Sequence, residues 1–153
     1  GFNMKFTKSI TFDMDGTSAD FYGVENWIDY LNNEDTTPYK NAKPLFNFQV
    51  LARLLNRLQK QGYSINIVSW SSKGGTSDYL KEVEKAKKAW LDKHLHSVTF
   101  DNIIITEYGV SKREIMKNSR GILFDDNEKV RADWNGISFS EKDILEILKT
   151  LVC

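Results

Sequence analysis

The sequence predicts an α/β fold, a doubly wound, mainly parallel sheet with helices on both faces. Short apolar runs that read as strands alternate with stretches carrying a helical apolar stripe, the pattern of βαβ units. Right-handed crossovers between such strands would cover both faces of the sheet. Two of the strands also end in paired acidic residues, Asp13 with Asp15 and Asp125 with Asp126. Open α/β sheets place their ligands at that carboxyl edge.

Taken in order, residues 8–13 form the first strand and run into a turn at Gly16. Residues 22–32 place Tyr22, Val24, Trp27, Ile28 and Leu31 at helical spacing and predict a short amphipathic helix. Residues 32–43 are polar, contain Pro38 and predict a loop, so 22–43 read as a small lid inserted after the first strand. Pro44 opens a strong helix whose stripe is Leu45, Phe48, Leu51, Leu54, Leu55 and Leu58, and Gly62 stops it. Residues 63–70 form the second strand, and 71–77 a Ser/Gly-rich loop. A long helix then runs to about His94, with Leu80, Val83, Trp90, Leu91 and His94 facing inward. Residues 102–106 are the third strand, 112–118 a short helix, 121–125 the fourth strand and 137–139 a short fifth. Ser140 is expected to cap the last helix, with Asp143 three residues on and Ile144, Leu145, Leu148 and Leu151 on its apolar face.

The 153 residues suit a single domain, 1–153, and a hydrophobic share of 41% permits a sizeable core. Lys+Arg and Asp+Glu are equal at 21 each, so no basic surplus marks nucleic acid as the main partner. A local basic patch stays open. One cysteine, Cys153, allows no internal disulfide and fits a reducing compartment. No apolar run approaches the length of a membrane span and no signal-peptide pattern precedes the first strand, so a cytoplasmic setting without membrane contact is expected.

Residues i and i+2 of a strand share a side, so Asp13 and Asp15 leave the sheet together. Close carboxylates repel unless a cation lies between them or one binds a proton. Oxygen ligands of this kind suit Mg²⁺. Asp125 and Asp126 end a second buried strand, and two acidic strand ends at one crevice call for a metal. Ser69 closes the second strand, and Ser71 is its neighbour on the same side. Either hydroxyl could bind an anion. The loop 71–76 reads equally well as an anion loop and as a flexible connection. Lys87 falls four residues after Val83 and three before Trp90, on the inward stripe. A lysine there must snorkel outward or meet a buried anion. Lys85 and Lys88 lie off the stripe. The alternative is Lys112, between the third and fourth strands.

These motifs resemble the haloacid dehalogenase (HAD) superfamily of phosphatases and phosphotransferases. The run Ile10-Thr11-Phe12-Asp13-Met14-Asp15-Gly16-Thr17 matches its first motif, an apolar strand followed by Asp-x-Asp-Gly-Thr. Ser69, a lysine, and Asp125-Asp126 stand for the later ones. The stretch through Ala19-Asp20-Phe21, the Lys87-Lys88-Ala89-Trp90 helix and Trp134 resemble the 5′(3′)-deoxyribonucleotidase branch and its bacterial and phage relatives. Thr17 stands where that branch often has Val. Only 51 residues separate Thr17 from Ser69, so the branch's helical cap is reduced here to a lid.

The resemblance implies a HAD-like Rossmannoid fold and a Mg²⁺-dependent hydrolase of phosphate monoesters. Asp13 would be the nucleophile and Asp15 the acid and base. Asp13, the Asp15 backbone carbonyl and Asp126 would bind the metal, with Asp125 in support. Ser69 or Ser71 and a lysine would hold the phosphoryl group. Lys87 is placed ahead for that role, with Lys112 lining the pocket. Thr17 would support Asp13, and Phe21 and Trp27 would meet the substrate. A phosphorylated small molecule, a nucleotide above all, is the expected partner. A polynucleotide 3′-phosphatase shares every motif, and the reduced lid would admit a nucleic-acid end. A receiver-type signalling domain uses similar groups, but its phosphorylated Asp ends a later strand and it lacks the acid at Asp15. A binding-only relative would normally have lost Asp13 or Asp15.

Overall fold

In the computed structural model of the chain, which describes residues 7–119 and 121–153, five strands form one sheet. They are β1 (Ser9–Phe12), β2 (Ser64–Trp70), β3 (Asn102–Thr106), β4 (Ile122–Phe124) and β5 (Ile137–Phe139). Their order is β3-β2-β1-β4-β5, and every adjacent pair is parallel. The sheet is therefore fully parallel among the described residues, a Rossmann-like α/β arrangement. The expected domain of 1–153 includes residues 1–6 and 120, which lie outside the described residues. No helix among the described residues is long and apolar enough to cross a membrane.

The strand order turns back at β1. β2 and β3 lie on one side of it, β4 and β5 on the other. The carboxyl ends of β1 and β4 thus flank the switch point where open α/β sheets bind ligands. Ile10 pairs with Ile122 and Phe12 with Phe124, so the residues just beyond, Asp13 and Asp125, emerge side by side.

The pleat sorts the core. Ile10, Phe12, Ile65, Ile67, Ile122 and Phe124 face one way. They meet Leu51, Leu54, Leu55 and Leu58 of α3 (Phe48–Lys60), Trp90 and Leu91 of α4 (Ser77–His94), and Ile144 and Leu148 of α7 (Ile144–Leu151). On the opposite pleat, Leu123 packs with Trp134 and with Val130 of α6 (Glu128–Asp133). Buried Asn66 on that pleat donates to Ser9 Oγ and accepts from Asn102 Nδ2, which satisfies a polar group taken out of water.

Several element bounds differ from the sequence expectation. The helix expected from Pro44 begins at Phe48, because the Asn47 side chain accepts from the backbone N–H groups of Gln49 and Val50 and sets the cap there. Leu45 lies before that cap and is 41% exposed, not part of the stripe. The last helix starts at Ile144. Ser140 Oγ accepts only a long 3.5 Å contact from the Lys142 N–H, and Asp143 occupies the cap position. The short helix expected over 112–118 is the single turn α5 (Lys112–Ile115). The one helix foreseen over 22–32 is confined to α1 (Trp27–Asn32), and the expected loop holds α2 (Thr37–Asn41) with Pro38 in its first turn, where a missing N–H costs nothing. Helix α6 is not among the elements the sequence predicts. Asn127 caps it by accepting from the Lys129 and Val130 N–H groups.

The lid is docked on α4. Glu34 accepts from the Thr76 N–H and hydroxyl, both at 3.0 Å, and the Tyr79 hydroxyl donates to the Asp35 carbonyl at 3.0 Å. Phe21, Tyr39, Tyr79, Val83 and Ala86 bury a second apolar cluster beneath it.

Candidate active site

β1 delivers Asp13 and Asp15 in two different settings. Asp13 is buried. Its carboxylate accepts from Lys112 Nζ at 3.0 Å and lies 3.0 Å from the Thr17 hydroxyl. The Ser18 hydroxyl donates to its backbone carbonyl at 2.8 Å. Asp15 is partly exposed and pairs with Lys87 Nζ at 2.9 Å. The turn between them and the lid needs Gly16, which has φ +81°. A Cβ there would collide with the Asp126 carboxylate and come within 3.0 Å of the Tyr22 ring.

β4 delivers the second acidic pair. Asp125 is buried, accepts from Lys112 Nζ at 2.7 Å and from the Asn127 N–H at 2.9 Å, and so has both oxygens engaged. Asp126 lies nearer solvent. Its N–H donates to the Thr17 hydroxyl at 2.9 Å, and that hydroxyl stands 3.1 Å from its carboxylate. Thr17 therefore ties the β1 turn to the β4 end. Its single hydrogen serves either Asp13 or Asp126, because a hydroxyl donates once.

Carboxylate oxygens of Asp13, Asp125 and Asp126 all lie within 4.8 Å of one another. Their electrostatics are strained. Burial pushes Asp126 up to about 7, with the neighbouring Asp13 charge adding to it. Burial and Asp13 push Asp125 up to about 6, against the pull of Lys112. Burial also raises Asp13, but Lys112, a hydrogen bond with Asp126 and Lys87 outweigh it and hold the carboxyl below the ordinary value. Burial raises Asp15 above the ordinary value despite Lys87. Burial opposes the Lys112 charge, yet Asp13 and Asp125 hold its pKa above the usual one. Three crowded carboxyls with one lysine are an all-oxygen donor set that fits a hard divalent cation. The Asp15 side chain stands apart from this group, on Lys87.

Both candidate lysines reach the centre, and the contacts divide them differently from the expectation. Lys112 is the one that touches Asp13, and it lines the cavity of about 110 Å³ at the switch point. Lys87, expected on the phosphate, instead binds Asp15, the Ser69 hydroxyl at 2.8 Å and the Trp70 carbonyl at 2.7 Å. It is not among the cavity's lining residues. Ser69 and Ser71 both line the cavity, and the buried Ser71 hydroxyl has no hydrogen-bond partner among the described residues.

Phe21 and Trp27, the expected substrate contacts, lie outside this cavity. Phe21 is buried in the lid cluster, 4.8 Å from the Tyr39 ring, because the chain turns it inward behind the lid. Trp27 packs on Phe21 at 5.4 Å, and neither residue lines the cavity. The aromatic walls are Tyr22, Trp70 and Tyr108. Tyr22 and Tyr108 are 55% and 51% exposed at its mouth, and Trp70 stacks at a tilt on Tyr108 at 4.9 Å. Their one sequence signal is position: Trp70 at the end of β2, Tyr108 just past β3 and Tyr22 after the acidic turn. Tyr22 is pushed up to about 12 by burial and by the Asp15 and Asp126 charges. No protein-family model matches this chain, and no curated protein matches it.

Proposed function

We propose that this protein is a Mg²⁺-dependent phosphohydrolase that cleaves phosphate monoesters through an aspartyl-phosphate, with nucleotides as the substrate class. The observation that carries the reading is the contrast between Asp13 and Asp15. Two carboxyls two residues apart are pushed in opposite directions, one held anionic by Lys112 and one raised by burial. With Asp13 on Lys112 among the crowded carboxyls and Asp15 apart on Lys87, the first serves as nucleophile and the second as the acid and base. The motif resemblance to HAD phosphatases, and within them to the deoxyribonucleotidase branch, supports the same division. The single cysteine suits a cytoplasmic setting for this activity.

In this mechanism an Asp13 oxygen attacks phosphorus, and the bond to the leaving oxygen breaks in line with it. Asp15 gives its proton to that oxygen as the alcohol departs. Asp15 then takes a proton from water, whose oxygen attacks the acyl phosphate. The phosphorus–Asp13 bond breaks, and inorganic phosphate and free Asp13 result. Lys112 and the Ser69 hydroxyl face the phosphoryl oxygens, and Thr17 holds Asp13 in its orientation. Asp13, Asp125 and Asp126 would hold Mg²⁺, which supplies charge neutralisation between nucleophile and phosphate.

A polynucleotide 3′-phosphatase is the second reading. It is favoured by the exposed Tyr22 and Tyr108 at the cavity mouth and by Lys73 over the Tyr108 ring at 5.6 Å, a rim suited to an extended strand. Hydrolysis of nitrophenyl phosphate with added Mg²⁺ tests the common reading. Full activity in excess chelator would sink the metal assignment. Nucleoside monophosphates compared with 3′-phosphorylated oligonucleotides decide between the two substrates.

A further inference from the structure

Lys87 is 1% exposed, the largest fully buried side chain on α4. An ammonium has three N–H donors and no acceptor. Lys87 directs them to the Asp15 carboxylate at 2.9 Å, the Ser69 hydroxyl at 2.8 Å and the Trp70 carbonyl at 2.7 Å. Every donor is used within the protein, and none is left for a ligand oxygen. The remaining side is closed by the Tyr39 ring of the lid, whose centroid lies 5.2 Å from the nitrogen. Tyr39 is itself buried on α2 and held against Phe21. Lys112 is also buried and has the Trp70 ring 5.4 Å from its nitrogen, but it differs in its partners and its place. It has two carboxylate partners, its third N–H has none among the described residues, and it lines the cavity.

We infer that Lys87 is a positioning residue, caged beneath Tyr39, which fixes the Asp15 carboxyl and the Ser69 hydroxyl and does not itself bind the phosphoryl group. The inference rests on the phosphohydrolase reading. Ser69 accepts from Lys87, so its own hydrogen is free to point into the cavity. Asp15 is held by one oxygen, Oδ2, so the other is left to exchange a proton with the leaving group. The insertion after β1 then has a role beyond covering substrate. It roofs the cage, and its anchors at Glu34–Thr76 and Tyr79–Asp35 keep the roof in place without any ligand.

The test compares Lys87→Met, Lys112→Met and Tyr39→Leu with the wild type in Mg²⁺. It measures kcat on nitrophenyl phosphate and ribose 5-phosphate, and the inhibition constant of inorganic phosphate. A misplaced acid harms poor leaving groups most. Lys87→Met should keep the phosphate constant within about threefold, lose less than about tenfold on nitrophenyl phosphate, and lose roughly a hundredfold or more on ribose 5-phosphate. Lys112→Met should weaken phosphate by about tenfold or more. A Lys87→Met enzyme with phosphate weakened about tenfold, or with equal losses on both esters, overturns the inference. If Lys87→Met does not fold, Tyr39→Leu decides. It keeps the ammonium but opens the roof, and should lose several-fold more on ribose 5-phosphate than on nitrophenyl phosphate. Equal effects on the two esters, including no effect, count against the cage. A wild type inactive on nitrophenyl phosphate removes the phosphohydrolase reading itself, whereas an active wild type with the wrong split removes only the role of Lys87.

Discussion

Asp13 has one buried cation beside it and two carboxyls facing it, and those neighbours set two separate expectations. The first is catalytic. Asp13→Asn keeps the shape and the Thr17 contact but removes the proposed nucleophile, so turnover should fall by roughly a thousandfold or more with the circular dichroism unchanged. A tenth of wild-type turnover surviving, with deamidation excluded by mass, would defeat covalent catalysis at Asp13. The second concerns pH. Asp126 and Asp125 titrate near 7 and 6 in the fold against 3.8 unfolded, so folding favours their protonated forms. Their contribution is whole below the unfolded value and is lost as pH rises through those two values. Asp15 is raised too and adds to the same slope. Asp13 is lowered and acts oppositely, but its contribution is lost only as pH falls below its unfolded value of 3.8. His94, lowered from 6.5 by burial, also acts oppositely but is partly exposed, so between pH 5 and 8 the raised carboxyls decide. Metal-free protein should therefore melt at a lower temperature at pH 8 than at pH 5.5, and Asp126→Asn should flatten that slope. Saturating Mg²⁺ should abolish or invert it, since a cation bound by the carboxylates favours their ionised forms. A metal-free melting temperature that rises from pH 5.5 to 8 would show that the three carboxyls do not repel as placed.

At the scale of single elements, the turn after β1 is the most constrained segment. Gly16→Ala combines a left-handed backbone with a Cβ driven against Asp126 and Tyr22, and should cost about 1–3 kcal/mol in stability along with most of the activity. The cap of α3 offers a contrast. Asn47→Ala loses two accepted N–H bonds far from the site and should cost about 1 kcal/mol with turnover unchanged, as urea unfolding and a standard assay would show. What the sequence reveals about such elements depends on periodicity. The strands, α3 and the long α4 are legible because their apolar residues repeat, and the repeat alone turns Lys87 inward. Helices α2 and α6 have too few turns for a repeat, and Pro38 of α2 and the Asn127 cap of α6 read equally well as loop residues. Phe21 is ambiguous for a related reason. An aromatic next to a turn has no pattern to say which way it faces, and here the lid core claims it. The same absence of pattern hides Tyr22 and Tyr108. The choice between Lys87 and Lys112 is not a matter of periodicity at all. It depends on which carboxylate each ammonium reaches, a tertiary fact set by pairing β1 with β4.

Across the whole molecule, that pairing brings together residues 109 positions apart, Thr17 and Asp126, and leaves the cavity between loops that no single element controls. One wall comes from the start of the lid with Tyr22, another from the ends of β2 and β3 with Trp70 and Tyr108. The buried cluster under the lid, by contrast, faces α4 and not the cavity. Recognition of a leaving group should follow this partition. Two exposed rings at the mouth can stack on a base, a contact of about 1 kcal/mol that does not distinguish bases strongly. Nucleoside monophosphates should therefore be discriminated by roughly tenfold or less, about 1.4 kcal/mol in transition-state binding. Tyr22→Ala and Tyr108→Ala should each lower kcat/KM for nucleotides by up to about tenfold relative to ribose 5-phosphate. Phe21→Ala should behave as a core truncation. It should cost about 3–5 kcal/mol of stability and, in whatever fraction stays folded, affect nucleotide and ribose 5-phosphate alike. A selective loss on nucleotides in Phe21→Ala, with Tyr22→Ala and Tyr108→Ala silent, would mean that substrate enters between the lid and α4 and that the cavity mouth is not where the base rests.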